Sequence, residues 1–214
     1  MEQPEAERPK PRYGHSFTKV GAQYVLYGGV DNQKVDGQVM PKGDIYTCSI
    51  VKNKITWSKK TATGDIPLPR TQHLAVELDS QNLLIFGGIY SNKTRLNDVA
   101  ILNVPTMTWK VPPGHTLLTD PKNEPSKING PEPRASCAGC IYKDKLYVFG
   151  GLGGTFYTKK VFNDLFELDL KTFKWTCVDY KNVGRPAEPR CGHSMFAAND
   201  MLYAYGGWNN ETQF

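Results

Sequence analysis

One arrangement of residues occurs four times in this 214-residue chain, and it restricts the fold more than any other feature. An arginine is followed 16 or 17 positions later by a Gly-Gly pair closing an apolar run: Arg12 with Gly28-Gly29, Arg70 with Gly87-Gly88, Arg134 with Gly150-Gly151, Arg190 with Gly206-Gly207. The first three copies continue with a loop, an aspartate before an apolar residue (Asp44, Asp98, Asp164), a tryptophan 11 to 13 residues later (Trp57, Trp109, Trp175) and a proline-rich link to the next arginine. Self-similarity at a near-constant period identifies a repeat architecture, in which each unit shares a core with its neighbours.

Each copy holds short runs of β-branched and aromatic residues. In the third they are Cys140-Ile-Tyr142, Leu146-Tyr-Val-Phe149, Leu165-Phe-Glu-Leu168 and Phe173-Lys-Trp175. They are too short for helices, and turn residues such as Lys143-Asp144 and Asn199-Asp200 separate them. Four such runs per copy predict a four-stranded antiparallel sheet, with the tryptophan as a large apolar wedge between neighbouring units.

The pattern resembles the kelch repeat. Pro-Arg-Tyr-Gly-His-Ser (11–16), Pro-Arg-Cys-Gly-His-Ser (189–194), the four Gly-Gly pairs, Asn-Asp-Leu-Phe-Glu-Leu-Asp-Leu (163–170) and the three tryptophans carry the resemblance. It implies an all-β, kelch-type β-propeller of about three and a half four-stranded blades. Blade 1 is expected over 12–69, blade 2 over 70–133, blade 3 over 134–189 and half of blade 4 over 190–214, after a disordered lead-in at 1–11. Kelch relatives most often have six blades. A full ring of that size needs roughly 350 residues, so the remaining blades are expected from the rest of the chain or from another chain.

In a four-stranded meander the loops alternate between two faces. The turns on one face are short, such as Gly21-Ala22-Gln23 and Lys143-Asp144-Lys145. The second-to-third loops (30–43, 89–96, 152–162) and the inter-blade links (59–69, 111–133, 179–189) are long, unlike one another, and share the other face. Insertions gathered on one face of a repeat protein mark its binding face, and disordered spacers are the alternative. The candidate partner-binding residues there are Tyr90, Lys93, Arg95, Phe156, Tyr157, Lys159, Lys160 and Trp208. They combine aromatics with cations, as interface hot spots do. An acidic, phosphorylated or cytoskeletal protein partner suits them; solvated lysines around locally packed aromatics are the bland alternative. Arg12, Arg70, Arg134 and Arg190 open the innermost strand near the channel mouth. Recurrence in every copy points to a framework role, bonding backbone carbonyls between blades; the resemblance also allows contact with an acidic peptide.

The net charge of +5 is dispersed, without the clustered basic face that nucleic acid requires. No apolar stretch reaches membrane-spanning length, and the charged N-terminus is unlike a secretory signal. A cytoplasmic location with five reduced cysteines is expected. Cys137-Ala-Gly-Cys140 lacks the second pair of a zinc site. His15, His73 and His193 share one repeat position, where packing under the next blade is expected instead of metal ligation. No catalytic motif stands out, and neither metal nor cofactor is expected. The residues predict a non-catalytic interaction module or scaffold. The alternatives are a metal-dependent kelch enzyme with its site in further blades, or a structural subunit of a large assembly.

Overall fold

The computed structural model describes residues 8–35, 37–52, 54–120, 130–155, 158–180 and 186–214. Every regular element among them is a strand. Blade 1 comprises β1 (Tyr13–Val20), β2 (Gln23–Val30), β3 (Ile45–Val51) and β4 (Lys54–Lys60). Blade 2 comprises β5 (Leu74–Asp79), β6 (Asn82–Ile89), β7 (Arg95–Asn103) and β8 (Thr108–Lys110), and blade 3 β9 (Ala138–Tyr142), β10 (Lys145–Phe149), β11 (Leu165–Asp169) and β12 (Trp175–Val178). Blade 4 contributes β13 (Ser194–Ala198) and β14 (Met201–Tyr205). Within each blade the strands follow chain order and pair antiparallel. The first strands β1, β5, β9 and β13 are successive neighbours, which fans the sheets about one axis as an open partial ring.

The register repeats from blade to blade. The residue after the recurrent aspartate lies opposite the aromatic before the glycine pair: Ile45 opposite Tyr27, Val99 opposite Phe86, Leu165 opposite Phe149. This register places every blade's core residues on equivalent positions, since a one-residue slip would turn each side chain to the wrong face.

The core lies between blades. Tyr27 and Val25 of blade 1 meet Leu83, Ile85, Leu102 and Trp109 of blade 2. The other face of blade 2, with Leu84 and Phe86, meets Leu146, Val148, Leu168 and Trp175 of blade 3. Alternation along β6 thus feeds two different cores, as the period of two in a strand requires. Trp109 packs 5.2 Å from Tyr27, and Trp175 5.2 Å from Phe86, so each tryptophan wedges against the preceding blade. Among the described residues no blade precedes that of Trp57. Trp57 lies instead 5.8 Å from Phe17 of its own blade, and Phe17 is 48% exposed.

Several elements differ from the sequence expectation. Residues 63–64 of the first inter-blade link form a short strand parallel to β8, a fifth member of that sheet. The last strand of blade 3 runs over Trp175–Val178, because Phe173 takes φ +53° in a turn held by the Asp169 side chain and backbone. The glycine pair lies inside β2 and β6, and follows the strand in blades 3 and 4. Two second-to-third loops carry small ladders of their own, Lys34–Val35 with Gln38–Val39 and Leu152–Gly153 with Lys160–Val161.

Candidate functional site

The recurrent arginine clamps its own blade. Arg12, Arg70 and Arg134 each donate from Nη1 to the carbonyl of the first glycine of the pair, at 3.0 Å. Each also grips the recurrent aspartate with two nitrogens; Arg70 meets Asp98 at 2.6 and 3.1 Å. Asp44 and Asp164 stand in the same place for Arg12 and Arg134. One planar guanidinium thereby ties the start of strand one to the end of strand two and the start of strand three. The expected bonding between blades is corrected: the side chain acts inside its blade. Desolvation opposes the charge on Arg70, but the adjacent Asp98 carboxylate more than offsets it and holds the guanidinium above its ordinary pKa. The aspartates recur 32, 28 and 30 residues after their arginines, a signal present in the sequence but not connected to them by periodicity.

The backbone of the same arginine joins the blades. Its carbonyl accepts from the second glycine of the preceding blade: Gly29 to Arg70 at 2.9 Å, Gly88 to Arg134 at 2.8 Å, Gly151 to Arg190 at 2.8 Å. The first glycine needs its missing side chain for this approach. At Gly28, φ is +69° and a Cβ would stand 2.5 Å from the Arg70 carbonyl.

Two residues beyond each arginine, a chain of backbone bonds runs from blade to blade as a rim. Gln72 donates to Gly14 (2.7 Å), Ser136 to Gln72 (2.9 Å) and Gly192 to Ser136 (2.8 Å). All four residues have positive φ, although two are not glycine. The Ser136 hydroxyl adds a bond to the Gln72 side chain at 2.8 Å. This rim holds the inner strands at fixed spacing and presents their first residues toward the long loops.

Between the loops of blades 1 and 2, a groove of about 430 Å³ opens beside this rim. Tyr13, Gln72 and Ile89 form part of its lining, with Val39 and Met40 on one side and Tyr90 on the other. Tyr13 is 60% exposed. Lys93 stands exposed at the tip of the blade 2 loop, and the turn at Ser91 is held by bonds to the Lys93 and Thr94 amides. Trp208, bridged to Cys191, occupies on blade 4 the position of Val30 and Ile89 and is 41% exposed. Lys160 pairs with Glu132 at 2.7 Å and lies over the Phe162 ring; Lys159 is exposed. Phe156 and Tyr157 lie outside the described residues. Arg95 departs from expectation: it begins β7 and is buried at 8% exposure, with Nε and Nη1 unbonded, and desolvation lowers its pKa. It sits at the start of a strand, opposite Ile89, and not in the open part of the loop.

The repeated histidines also sit otherwise than expected, against the preceding blade. His73 meets Tyr27 edge-on at 5.2 Å and bonds Ser16 at 2.9 Å; His193 meets Phe149 at 5.4 Å. Desolvation, helped by Arg70, pushes His73 down to about 3, and desolvation with Arg190 pushes His193 down to about 4. All five cysteines are free thiols. Burial pushes Cys137 and Cys191 up to about 11, so neither is a ready thiolate. Among the described residues no cluster of three or more His, Cys, Asp or Glu side chains is placed to hold a metal, and no helix is long and apolar enough to cross a membrane.

Comparison with known proteins agrees with this geometry. Residues 14–214 match the profile of the KLHDC2/KLHL20/DRC7 Kelch-repeats domain. The chain belongs to the kelch-repeat family. This kelch array is 31% identical over 197 residues to "Dynein alpha chain, flagellar outer arm" of Chlamydomonas reinhardtii, covering 90% of the array and 4% of that protein. It is 31% identical over 233 residues to "Host cell factor" of Drosophila melanogaster, covering 95% of the array and 14% of the relative. Host cell factor 2 of Homo sapiens is 29% identical over 93% of the array and 26% of its own length. The array thus spans only a small part of these relatives. Among solved structures, YjhT superposes with a TM-score of 0.68 at 16% identity, over 92% of the array and 59% of that chain, and shares the propeller fold.

Proposed function

We propose that this kelch array is a non-catalytic protein-interaction module that binds its partner on the face carrying the long loops. The observation behind this is the groove between blades 1 and 2, where the rim and two loops converge on the exposed Tyr13 and the half-buried Tyr90. Such concave aromatic surface, with the exposed Lys93 next to its lining residue Asn92, suits an acidic polypeptide segment. Specificity then resides in loops that differ between blades, while the clamps keep the scaffold rigid.

Photo-crosslinking tests the proposal. A photoreactive residue replaces Tyr90 or Trp208 on the loop face, or Gln81 in a short turn on the opposite face. A partner captured from Tyr90 or Trp208, with capture from Trp208 lost on Tyr13→Ala/Tyr90→Ala substitution, supports the loop face. Capture from Gln81 alone places binding on the other face. A second role, as a structural subunit of a large assembly, is favoured by the open blade surfaces and the similarity to a flagellar dynein chain. A native particle much heavier than the free chain would support it.

A further inference from the structure

The rim imposes a backbone conformation that two of its four residues hold only under strain. Gly14 and Gly192 take φ +66°, while Gln72 and Ser136 take φ +55° and +51° at the equivalent positions. A Cβ is disfavoured in this left-handed region, and glycine avoids the penalty. The rim itself gives no reason for the exchange, because glycine makes the same backbone bond. Gly192 donates to Ser136 at 2.8 Å, as Ser136 donates to Gln72 at 2.9 Å. Backbone strain of this kind gathers where side chains meet ligands. What the exchange adds is a pair of polar side chains. The Ser136 hydroxyl donates to Gln72 Oε1 at 2.8 Å and so fixes the carboxamide. Among the described residues, the Gln72 Nε2 amino group donates to none. Gly14 leaves room for this side chain, since a Cβ there would stand 3.3 Å from Gln72 Cγ and 2.1 Å from Thr71 Oγ1. Gln72 is half-buried and lines the groove of about 430 Å³ with Met40, Ile89 and Tyr90. None of the described residues lining that groove is charged.

We infer that Gln72 is a binding residue of this groove, that its Nε2 donates to a main-chain carbonyl of the bound polypeptide, and that Ser136 is its positioning residue. The inference rests on the loop-face groove being the partner's site, and it names a contact made there. A neutral donor among uncharged neighbours matches a neutral carbonyl. A carboxylate at the same place would lose hydration without gaining a counter-charge. The exposed Lys93, next to Asn92, is left to meet the partner's acidic side chain. A carboxamide already held at its oxygen loses less freedom on binding than a loose side chain does.

The probes are peptides selected from a random display library on the wild-type chain and retained only if Tyr90→Ala abolishes their binding. Affinity is followed by fluorescence anisotropy. Gln72→Gly removes the side chain and relaxes the backbone; it is expected to bind about 2- to 10-fold more weakly, the range for one neutral hydrogen bond. Gln72→Glu keeps an oxygen for Ser136 but no donor, and should bind about 10-fold more weakly or worse. Ser136→Ala should weaken binding in the wild type and change nothing in Gln72→Gly, a coupling that a merely structural serine would not show. On heating, Gln72→Gly should outlast Gln72→Ala, the reverse of the usual order, because alanine keeps the strain. The affinity ratios should persist for peptides whose Asp and Glu are replaced by Asn and Gln. Ratios that vanish there assign the contact to a carboxylate and overturn the carbonyl. Groove-mapped peptides that bind Gln72→Gly and Gln72→Glu as tightly as the wild type overturn the inference and leave the groove standing. A Gln72→Ala more stable than Gln72→Gly removes the strain on which it rests. A library that yields no peptide sensitive to Tyr90→Ala refutes the groove, and this inference with it.

Discussion

The clamps should differ in strength according to their access to water, and Asp98→Asn is the sharpest test. The Arg70 and Asp98 side chains are 0% and 4% exposed, so asparagine there leaves a sealed guanidinium with no counter-charge. Removing one partner of such a pair costs about 3–5 kcal/mol. Asp44 is 22% exposed, and water can replace part of what asparagine loses, so Asp44→Asn should cost about 1–2 kcal/mol, between the surface and buried limits. For a chain of this size each kcal/mol lowers Tm by about 2–4 °C, giving roughly 6–20 °C for Asp98→Asn and about 2–8 °C for Asp44→Asn. Replacing both partners, as Arg70→Met/Asp98→Asn, removes the orphaned charge and should recover much of the loss. Thermal and urea unfolding followed by tryptophan fluorescence would measure all three. If Asp98→Asn costs no more than Asp44→Asn, or the double variant is weaker than Asp98→Asn alone, the assignment of clamp strength to burial fails.

Acid should destabilise the array before its carboxylates titrate. His73 and His193 remain neutral when folded, whereas unfolded imidazoles gain protons below about pH 6.5, so stability falls as pH drops through that value. Between pH 7.5 and pH 5 each ring should remove about 2 kcal/mol; a pH slope unchanged in His73→Asn/His193→Asn would contradict the burial of these rings. Trp109→Ala, at a site 1% exposed between two blades, should cost about 3–5 kcal/mol. Trp57→Ala should cost clearly less, since among the described residues it packs only within its own blade, against Phe17, and equal losses in urea titrations of this chain would refute the inter-blade role of Trp109.

Much of this architecture could be read from the chain because a repeat supplies its own controls. Four equivalent Arg-to-Gly-Gly spacings located the inner two strands of each blade, and three tryptophans marked the wedges. Aspartates 44, 98 and 164 were visible at regular positions, yet their role was not, because Arg and Asp meet across three strands that only the sheet brings together. Arg95 was misplaced for a related reason. A basic residue beside a loop reads as exposed, and only the packed structure shows it buried at the start of β7. The histidine position was recognised as structural, but whether it faced the next or the preceding blade depends on the sense in which the sheets stack.

By itself, then, the sequence determined the repeat, the four-strand unit and the family, because hydrophobic alternation and glycine placement are local properties of a chain. Tertiary structure alone decided which charges close on one another, which aromatic faces are covered and where a groove opens. Those outcomes arise from contacts between residues tens of positions apart, whose energies depend on burial that no local pattern encodes.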